Sequence, residues 1–220
     1  MSSNEEYFGL DNPGIKTSNF PRWEMVKGKE YRFAIAVEDI SKAFAGKKAH
    51  YYNKKRFLCR STPTKREICC THEYGENGKP ANEAKWRFGT VVVVYELSAD
   101  KKQLLNTQVV PWYFNDQVWN QLRSIQDEFP LDSVDLKLVA VDPQMMKFTI
   151  TNYKDCLWRK SDKLKQKVIA EAQPYLEALP KRVCSTLTVS EISEHIGLGD
   201  GTIAADTASG TDISSIVDDL

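Results

Sequence analysis

A run of branched apolar residues in the middle of the chain constrains the fold more than any other segment. Residues 86–97 include five consecutive strand-forming residues, Val91, Val92, Val93, Val94 and Tyr95. β-Branched and aromatic side chains favour an extended backbone, and a run of this length indicates a buried strand. A polar turn over residues 99–102 separates it from residues 104–114, which we expect to return as its hairpin partner. The sequence therefore predicts an antiparallel sheet built around this hairpin.

Shorter patterns on both sides of the hairpin predict further elements. Alternating apolar and polar residues predict strands over residues 31–35, 134–141 and 146–151. Asn115 or Asp116 can begin a helix with one apolar face. Ser161 can begin a second helix, with a break expected near Pro174, and a short helix is expected over residues 190–196. The predicted class is α+β, mainly β with flanking helices, arranged as a small barrel or sandwich.

The composition excludes several classes of protein. The chain has 220 residues, of which 41% are hydrophobic and 27% are charged, close to the average for soluble proteins. No stretch approaches 18 apolar residues, so we expect no membrane span. The first residues do not combine a basic flank with an apolar run, so they are not expected to form a signal peptide.

The formal net charge of zero is the sum of two oppositely charged regions. The last lysine or arginine is Arg182, and the 38 residues after it (183–220) carry seven acidic residues. Because the whole chain sums to zero, residues 1–182 carry a net charge of +7. We expect a flexible arm over residues 1–20, a core over residues 21–182, and a short helix followed by a disordered acidic tail over residues 183–220.

Positive charge is concentrated between Ile40 and Arg66, where nine basic residues occur among 27 residues with no acidic residue. Aromatic residues are interleaved with these cations. Cations bind phosphates and flat rings stack on unpaired bases, at about 1–3 kcal/mol per base, so the pattern favours single-stranded nucleic acid over a merely solvated loop. The candidate DNA-binding residues of this segment are Lys47, Lys48, Tyr51, Tyr52, Lys54, Lys55, Arg56, Phe57 and Arg60. The hairpin adds Trp86, Arg87, Trp112, Tyr113 and Phe114, and strand alternation sends at least one of the last three rings inward.

Cysteine and histidine residues cluster inside the same segment. The spacing is His50-x8-Cys59-x9-Cys69-x2-His72, with Cys70 as a spare thiol. Four nitrogen and sulfur ligands of this kind bind structural zinc tetrahedrally, which predicts a metal loop over residues 50–72. A metal would contribute folding free energy to a loop that is otherwise polar and self-repelling.

The alternative for this cluster is a set of reduced cysteines packed as small apolar residues, with the histidines stacked or hydrogen-bonded. The remaining two cysteines, Cys156 and Cys184, are isolated in the sequence and are expected to be free thiols. His195 also stands alone, and we expect it at the surface.

Taken in order, these features resemble the single-stranded DNA-binding, or helix-destabilising, proteins of T-even-type bacteriophages. The shared features are the basic-aromatic segment, Cys59-x9-Cys69-x2-His72 and the aromatic hairpin that ends near Trp119, and they cover roughly residues 30–125. The family has a cysteine where His72 stands, and its N-terminal arm is basic, whereas this chain has no cation before Lys16. The resemblance implies an oligonucleotide-binding barrel (OB-fold) with a zinc-binding insertion.

The resemblance also implies a function without catalysis. Such a protein binds and protects single-stranded DNA, with little sequence preference, during phage replication, recombination and repair in the cytoplasm of the infected bacterial host. It is expected to be a monomer that can self-associate on single-stranded DNA. Its acidic tail recruits replication and recombination proteins and competes with DNA, and the candidate tail residues are Asp212, Asp218, Asp219 and Leu220.

Two other functions stay open at this stage. A zinc-containing transcription or replication accessory factor would share the metal loop and the cations, but would bind duplex DNA or a polymerase. An enzyme is less favoured, because the sequence contains no HExxH motif, no phosphate-binding glycine loop and no paired catalytic carboxylates.

Overall fold

Nine strands and four α-helices are formed by the residues that the computed structural model describes, namely 23–76, 79–101, 103–143, 147–184 and 186–198. The strands are β1 (Glu30–Ile35), β2 (Phe44–Tyr52), β3 (Lys55–Leu58), β4 (Gly75–Glu76), β5 (Lys79–Pro80), β6 (Lys85–Leu97), β7 (Leu104–Asn115), β8 (Leu136–Asp142) and β9 (Lys147–Asn152). The helices are α1 (Ile68–Thr71), α2 (Asp116–Glu128), α3 (Asp162–Arg182) and α4 (Val189–His195). Short 3₁₀ helices cover Ile40–Lys42 and Trp158–Lys160.

The long β6–β7 hairpin forms the centre of the sheet, which confirms the expectation from the central apolar run. β6 pairs with β7 along one edge, from Arg87 opposite Asn115 to Leu97 opposite Leu104. Its other edge pairs with β2 near the start of β6 and with β1 near its end. Both pairings are antiparallel. Because they use different parts of the same edge of β6, β1 and β2 lie end to end beside it.

Strands β3, β8 and β9 extend this sheet without closing it, whereas β4 and β5 pair with each other in a separate two-stranded sheet. β3 pairs with β2, β8 pairs with β1, and β9 pairs with β8, so the strand order is β3-β2-β6-β1-β8-β9 with β7 beside β6. The mainly antiparallel α+β class is confirmed. Among the described strands the sheet is open, and no pairing closes the barrel that the family resemblance implies.

Helices cover the two faces of the sheet. One face packs Val92, Val110 and Phe114 against α2, whereas the other packs Val91 and Val93 against α3. Because the centre of β6 is covered on both faces, the residues from Val91 to Val94 are all apolar and the usual alternation is absent there. The described helices include none that is both long enough and apolar enough to cross a membrane.

Side-chain caps fix where the helices begin. The Asn115 side chain accepts a hydrogen bond from the Val118 amide at 3.2 Å and begins α2, and Ser161 caps α3. The predicted break at Pro174 is wrong, since α3 continues through Pro174 to Arg182. A proline removes one backbone hydrogen bond, but burial of α3 against the sheet offsets that loss.

A third cluster of buried side chains packs against the β2–β3 hairpin. We call it the metal lobe, and it comprises residues 50–75 and 186–198. Its core contains Phe57, Cys69, Tyr74, Leu187, Ile192 and Ile196. The short helix near the C-terminus, which the sequence groups with the acidic tail, is thus packed against the segment that carries the cysteines.

Candidate metal centre and basic-aromatic surface

Four ligand atoms converge in the metal lobe. They belong to His50, Cys59, Cys69 and Cys70, and all lie within 4.8 Å of one another. His50 is on β2, Cys59 directly follows β3, and the two adjacent cysteines lie in α1. The Cys59 and Cys70 Sγ atoms are 3.4 Å apart, and the Cys70 Sγ atom is 3.5 Å from His50 Nε2. This cluster could hold a metal ion.

The imidazole of His50 is oriented by its surroundings. Its Nδ1 atom is 3.0 Å from the carbonyl oxygen of Ala81, so a proton on Nδ1 is donated to that oxygen. This hydrogen bond leaves Nε2 directed at the cysteine sulfurs, as in sites where an outer carbonyl fixes the ligand tautomer. The ring also stacks on Phe57, with centroids 5.4 Å apart and planes 26° from parallel.

Cys70 takes the position that the sequence assigns to His72. Residues 69 and 72 would share one face if the helix continued, but α1 ends at Thr71. His72 is extended, with φ −86° and ψ 135°, and it lies outside the cluster of ligand atoms. The expected ligands His50, Cys59 and Cys69 are brought together, and the fourth is corrected to Cys70.

Two of the cluster's thiols have shifted pKa values of opposite sign. Burial, together with a hydrogen bond to Cys70, raises the pKa of Cys59 to about 12. Burial also acts to raise the pKa of Cys69, but hydrogen bonding with His50, the Arg60 backbone and Ser61 outweighs it and lowers that pKa to about 6. Cys69 is therefore prepared to act as a thiolate ligand near neutral pH.

A second group of candidate residues lies on the sheet beside the metal lobe. Lys48 on β2 is paired with Trp86 on β6, and the Lys48 Nζ atom lies 5.7 Å from the centre of the indole ring. Trp86 is 46% exposed, and Lys48 is exposed as well. The Lys48 carbonyl oxygen accepts a hydrogen bond from the Cys59 amide at 2.9 Å, so this surface is tied directly to a candidate ligand.

The ring of Trp86 is supported from below by a stack of aromatic residues. It packs on Phe88 with planes 18° apart, and Phe88 packs on Trp119 of α2 with centroids 4.7 Å apart. Gly46 makes this packing possible, because a Cβ atom there would lie 3.0 Å from the Phe88 ring. The stack holds Trp86 in a fixed orientation at the surface.

Another exposed aromatic residue lies on the opposite face of the hairpin. Tyr51 is 47% exposed, is paired with Arg56, and has that guanidinium 5.4 Å from its ring centre. Side chains alternate along β2, so Tyr51 and Lys48 point to opposite faces. The turn between β2 and β3 is formed by Asn53 and Lys54, which both have positive φ angles, typical of a two-residue type I′ turn.

Several sequence candidates are buried and cannot meet a ligand as stacking rings. Phe57, Trp112 and Phe114 have exposed fractions of 4% or less, so their assignment as DNA-binding rings is wrong. Alternation along β7 turns Trp112 and Phe114 towards the same core, and Phe57 packs in the metal lobe. Arg87 is also buried, contrary to its assignment as a phosphate contact.

The remaining candidates of the segment are distributed around the hairpin. Lys54 and Arg60 are exposed, and Arg60 donates a hydrogen bond to the Leu187 carbonyl oxygen. The half-buried candidates are Lys47, Tyr52, Lys55, Arg56 and Tyr113. The structure therefore brings only part of the predicted set to one surface, with Lys48 and Trp86 at its centre.

Some participants in the site are absent from the sequence prediction. The Ala81 carbonyl oxygen gives no sequence signal, because any residue can supply a backbone acceptor. His195 is half-buried, not at the surface, and its Nε2 atom lies 2.9 Å from the Tyr52 carbonyl oxygen. A signal for the start of α4 does exist, since Thr188 and Glu191 form a capping box.

The isolated cysteines Cys156 and Cys184 are free and buried, as expected. The candidate tail residues Asp212, Asp218, Asp219 and Leu220 lie outside the described residues, as does the N-terminal arm over residues 1–20. We found no matching family model, no matching curated protein and no matching solved structure for this chain.

Proposed function

We propose that the protein binds single-stranded DNA, without catalysing a reaction, on the sheet face that presents Lys48 and Trp86. The observation that carries this proposal is an exposed indole ring held beside an unburied ammonium group. An unpaired base stacks on the ring while the cation neutralises a neighbouring phosphate. Neither contact reads a base edge, so binding has little sequence preference.

The support beneath Trp86 favours a binding role for this ring. A ring fixed by Phe88 and Trp119 loses little conformational entropy when a base stacks on it. An exposed tryptophan with no function would gain more stability from burial, because a large apolar ring is costly to leave in water. In duplex DNA the faces of the bases are already stacked, so the surface favours single strands.

Cations of the metal lobe extend the surface along β2. Gly46, Lys48 and His50 alternate onto one face of this strand, so the metal lobe adjoins the Lys48–Trp86 pair. The metal lobe carries further exposed cations, namely Lys54, Arg60, Lys65 and Arg66. Their number makes affinity depend strongly on salt concentration.

We assign the metal of the cluster as zinc. Three cysteine sulfurs and one histidine nitrogen form a Cys3His set, which binds zinc tetrahedrally in structural sites. All four positions are filled by protein atoms, which leaves none for a reacting water or substrate and supports a structural role. The hydrogen bond from the Cys59 amide to the Lys48 carbonyl oxygen supports a link between this site and the proposed binding surface.

The biological setting of this proposal comes from the family resemblance. We propose on this basis that the protein protects single-stranded DNA during phage replication, recombination and repair in the host cytoplasm. We also propose that it is related to OB-fold proteins and that its acidic tail recruits replication and recombination proteins. The charge distribution supports the part assigned to the tail, since no cation follows Arg182 and seven acidic residues do.

A tryptophan fluorescence titration tests the proposed function. Oligo-dT should quench the emission of the wild-type protein, whereas a duplex of equal length should not. The Trp86→Phe variant keeps a stacking ring, so it should retain most of the affinity, measured with a labelled oligonucleotide, while losing most of the quenching. Equal binding of the duplex would favour the duplex-binding accessory factor, and quenching that persists in Trp86→Phe would place the DNA elsewhere.

A further inference from the structure

Helix α4 and the candidate metal ligands share one hydrophobic core. Ile192 and Ile196 of α4 are buried with Cys69, and Leu187, just before the helix, is 2% exposed in the same cluster. Cys59 and Cys70 are partly buried against it. The apolar side of α4 is therefore covered by the segment that carries three of the four ligands.

Hydrogen bonds connect the same two segments. Arg60, which directly follows the ligand Cys59, donates from Nη1 to the Leu187 carbonyl oxygen at 2.9 Å. At the other end of α4, His195 Nε2 lies 2.9 Å from the Tyr52 carbonyl oxygen. The His195 ring also makes an edge contact with Phe57, which stacks on the ligand His50. The start of α4 is thus attached to Arg60, the neighbour of Cys59 in the sequence, and its end contacts Phe57, which stacks on His50.

Isolated helices of this length are not stable. α4 has seven residues, well below the roughly 12–15 at which isolated helices become even marginal in water. The capping box of Thr188 and Glu191 satisfies amide groups at its start, but contributes only about 1 kcal/mol. Its folded state must therefore depend on packing against the metal lobe.

We propose that the metal centre holds α4 on the metal lobe, so that loss of the metal releases residues 186–198 while the sheet stays folded. This inference rests on the metal binding of the proposed function. Without a metal, only weak thiol hydrogen bonds and apolar packing hold the three sulfurs and the imidazole together, and α1 and the chain after β3 lack the ligation that would fix them. The surface against which Leu187, Ile192 and Ile196 pack is then no longer maintained.

The release changes where the acidic part of the chain can reach. The described chain ends at Leu198 on the metal lobe, and the 22 residues that follow in the sequence include five aspartates and no cation. Docked α4 fixes the starting point of that segment next to the cations of the β2–β3 hairpin. The metal thereby controls how closely a negatively charged segment is tethered to the proposed DNA surface.

Thermodynamic linkage makes the coupling reciprocal. If zinc favours docked α4, then docked α4 must favour zinc by the same factor. A substitution in α4 that touches no ligand should therefore weaken zinc binding. Ile192→Asp places a charge in the shared core, whereas Glu194→Ala changes an exposed side chain of the same helix and serves as the control.

Hydrogen exchange on the full-length protein tests the proposal in the first direction. Bound zinc is measured by elemental analysis, and exchange is followed with and without zinc. Removal of zinc should speed amide exchange over residues 189–196 by about tenfold or more and leave β6 and β7 unchanged. If zinc binds but its removal leaves residues 189–196 protected, the coupling is overturned while the metal site stands.

Zinc competition with a chelator tests whether docking of α4 strengthens zinc binding. Ile192→Asp should bind zinc about tenfold or more weakly than wild type, and Glu194→Ala should match wild type. Retained protection of β6 and β7 in Ile192→Asp would show that the sheet is folded. If α4 of Ile192→Asp exchanges its amides rapidly while the zinc affinity is unchanged, the coupling is overturned. Absence of bound zinc from the wild-type protein would overturn both this inference and the proposed metal site.

Discussion

The Nζ atom of Lys48 lies 5.7 Å from the centre of the Trp86 ring, and the two residues are direct partners on neighbouring antiparallel strands. Register pairing fixes this proximity, because paired residues of an antiparallel sheet point to the same face. A cation and an exposed ring held in this way match the two parts of a nucleotide, the phosphate and the base.

The two faces of the sheet around β2 should contribute unequally to DNA binding. Trp86→Ala removes the supported ring and should weaken oligo-dT binding by about 5- to 150-fold, the equivalent of 1–3 kcal/mol. Tyr51→Ala removes an equally exposed ring from the opposite face and should have a clearly smaller effect. Fluorescence anisotropy with a labelled oligonucleotide gives both affinities, and a larger loss in Tyr51→Ala would move the proposed surface to the other face.

Metal content should separate the observed ligand set from the sequence-based one. Cys70→Ser removes a cluster ligand and should lower bound zinc well below one ion per chain. His72→Ala alters a residue outside the cluster and should leave zinc content at the wild-type value. Elemental analysis of the purified variants measures both, and the reverse outcome would restore His72 as the ligand.

The turn of the basic hairpin should be stabilised by glycine. Lys54 has a φ angle of 60°, a left-handed conformation that costs a residue with a Cβ atom about 1 kcal/mol relative to glycine. Lys54→Gly should therefore raise the free energy of unfolding by up to about 1 kcal/mol. Lys54→Ala removes the same charge but keeps a Cβ atom, so thermal unfolding should show no such gain for this control.

Acid should remove the contribution of the Asp155 ion pairs. The hydrogen bond from Lys160, with help from Arg32, lowers the pKa of Asp155 below its usual value of 3.8. A lowered carboxyl pKa stabilises the folded state above the unfolded pKa, and this contribution is lost as the pH falls through the folded value. Asp155→Asn should be less stable than wild type at pH 7 by up to about 1 kcal/mol, since the pair is partly exposed.

Denaturant unfolding between pH 2 and pH 7 checks this dependence. The difference between Asp155→Asn and wild type should stay constant above about pH 5 and shrink below pH 3.8. A difference that grows as the pH falls would contradict the assigned direction of the pKa shift.

Local patterns in the sequence predict much of the sheet and the helix starts. The branched run at Val91 and the cap at Asn115 both correspond to elements that form as expected, since their signals arise within a few residues. The predicted break at Pro174 is wrong because packing of α3 on the sheet outweighs the local tendency of proline to end a helix. The openness of the sheet depends on pairings between distant strands, which no local pattern encodes.

The candidate site is predictable by residue type but not in its assignment of roles. Clustering of cysteine and histidine in the sequence identifies His50, Cys59 and Cys69, because structural zinc sites commonly take their ligands from positions close together in the chain. The choice between Cys70 and His72 depends on where a one-turn helix ends. The division of aromatic residues into exposed Trp86 and buried Phe114 depends on which face of the sheet is covered.

Single-strand binding through the Lys48–Trp86 face can be tested with a salt series. The affinity of the full-length protein for oligo-dT and for a matched duplex is measured from low to moderate salt, alongside the Lys48→Ala variant. The proposal predicts preference for the single strand and a steep loss of affinity with salt. In a plot of log affinity against log salt concentration, the slope for Lys48→Ala should be smaller in magnitude by about 0.7 than that for wild type. An affinity for oligo-dT that barely changes with salt, or equal affinity for the duplex, would contradict it.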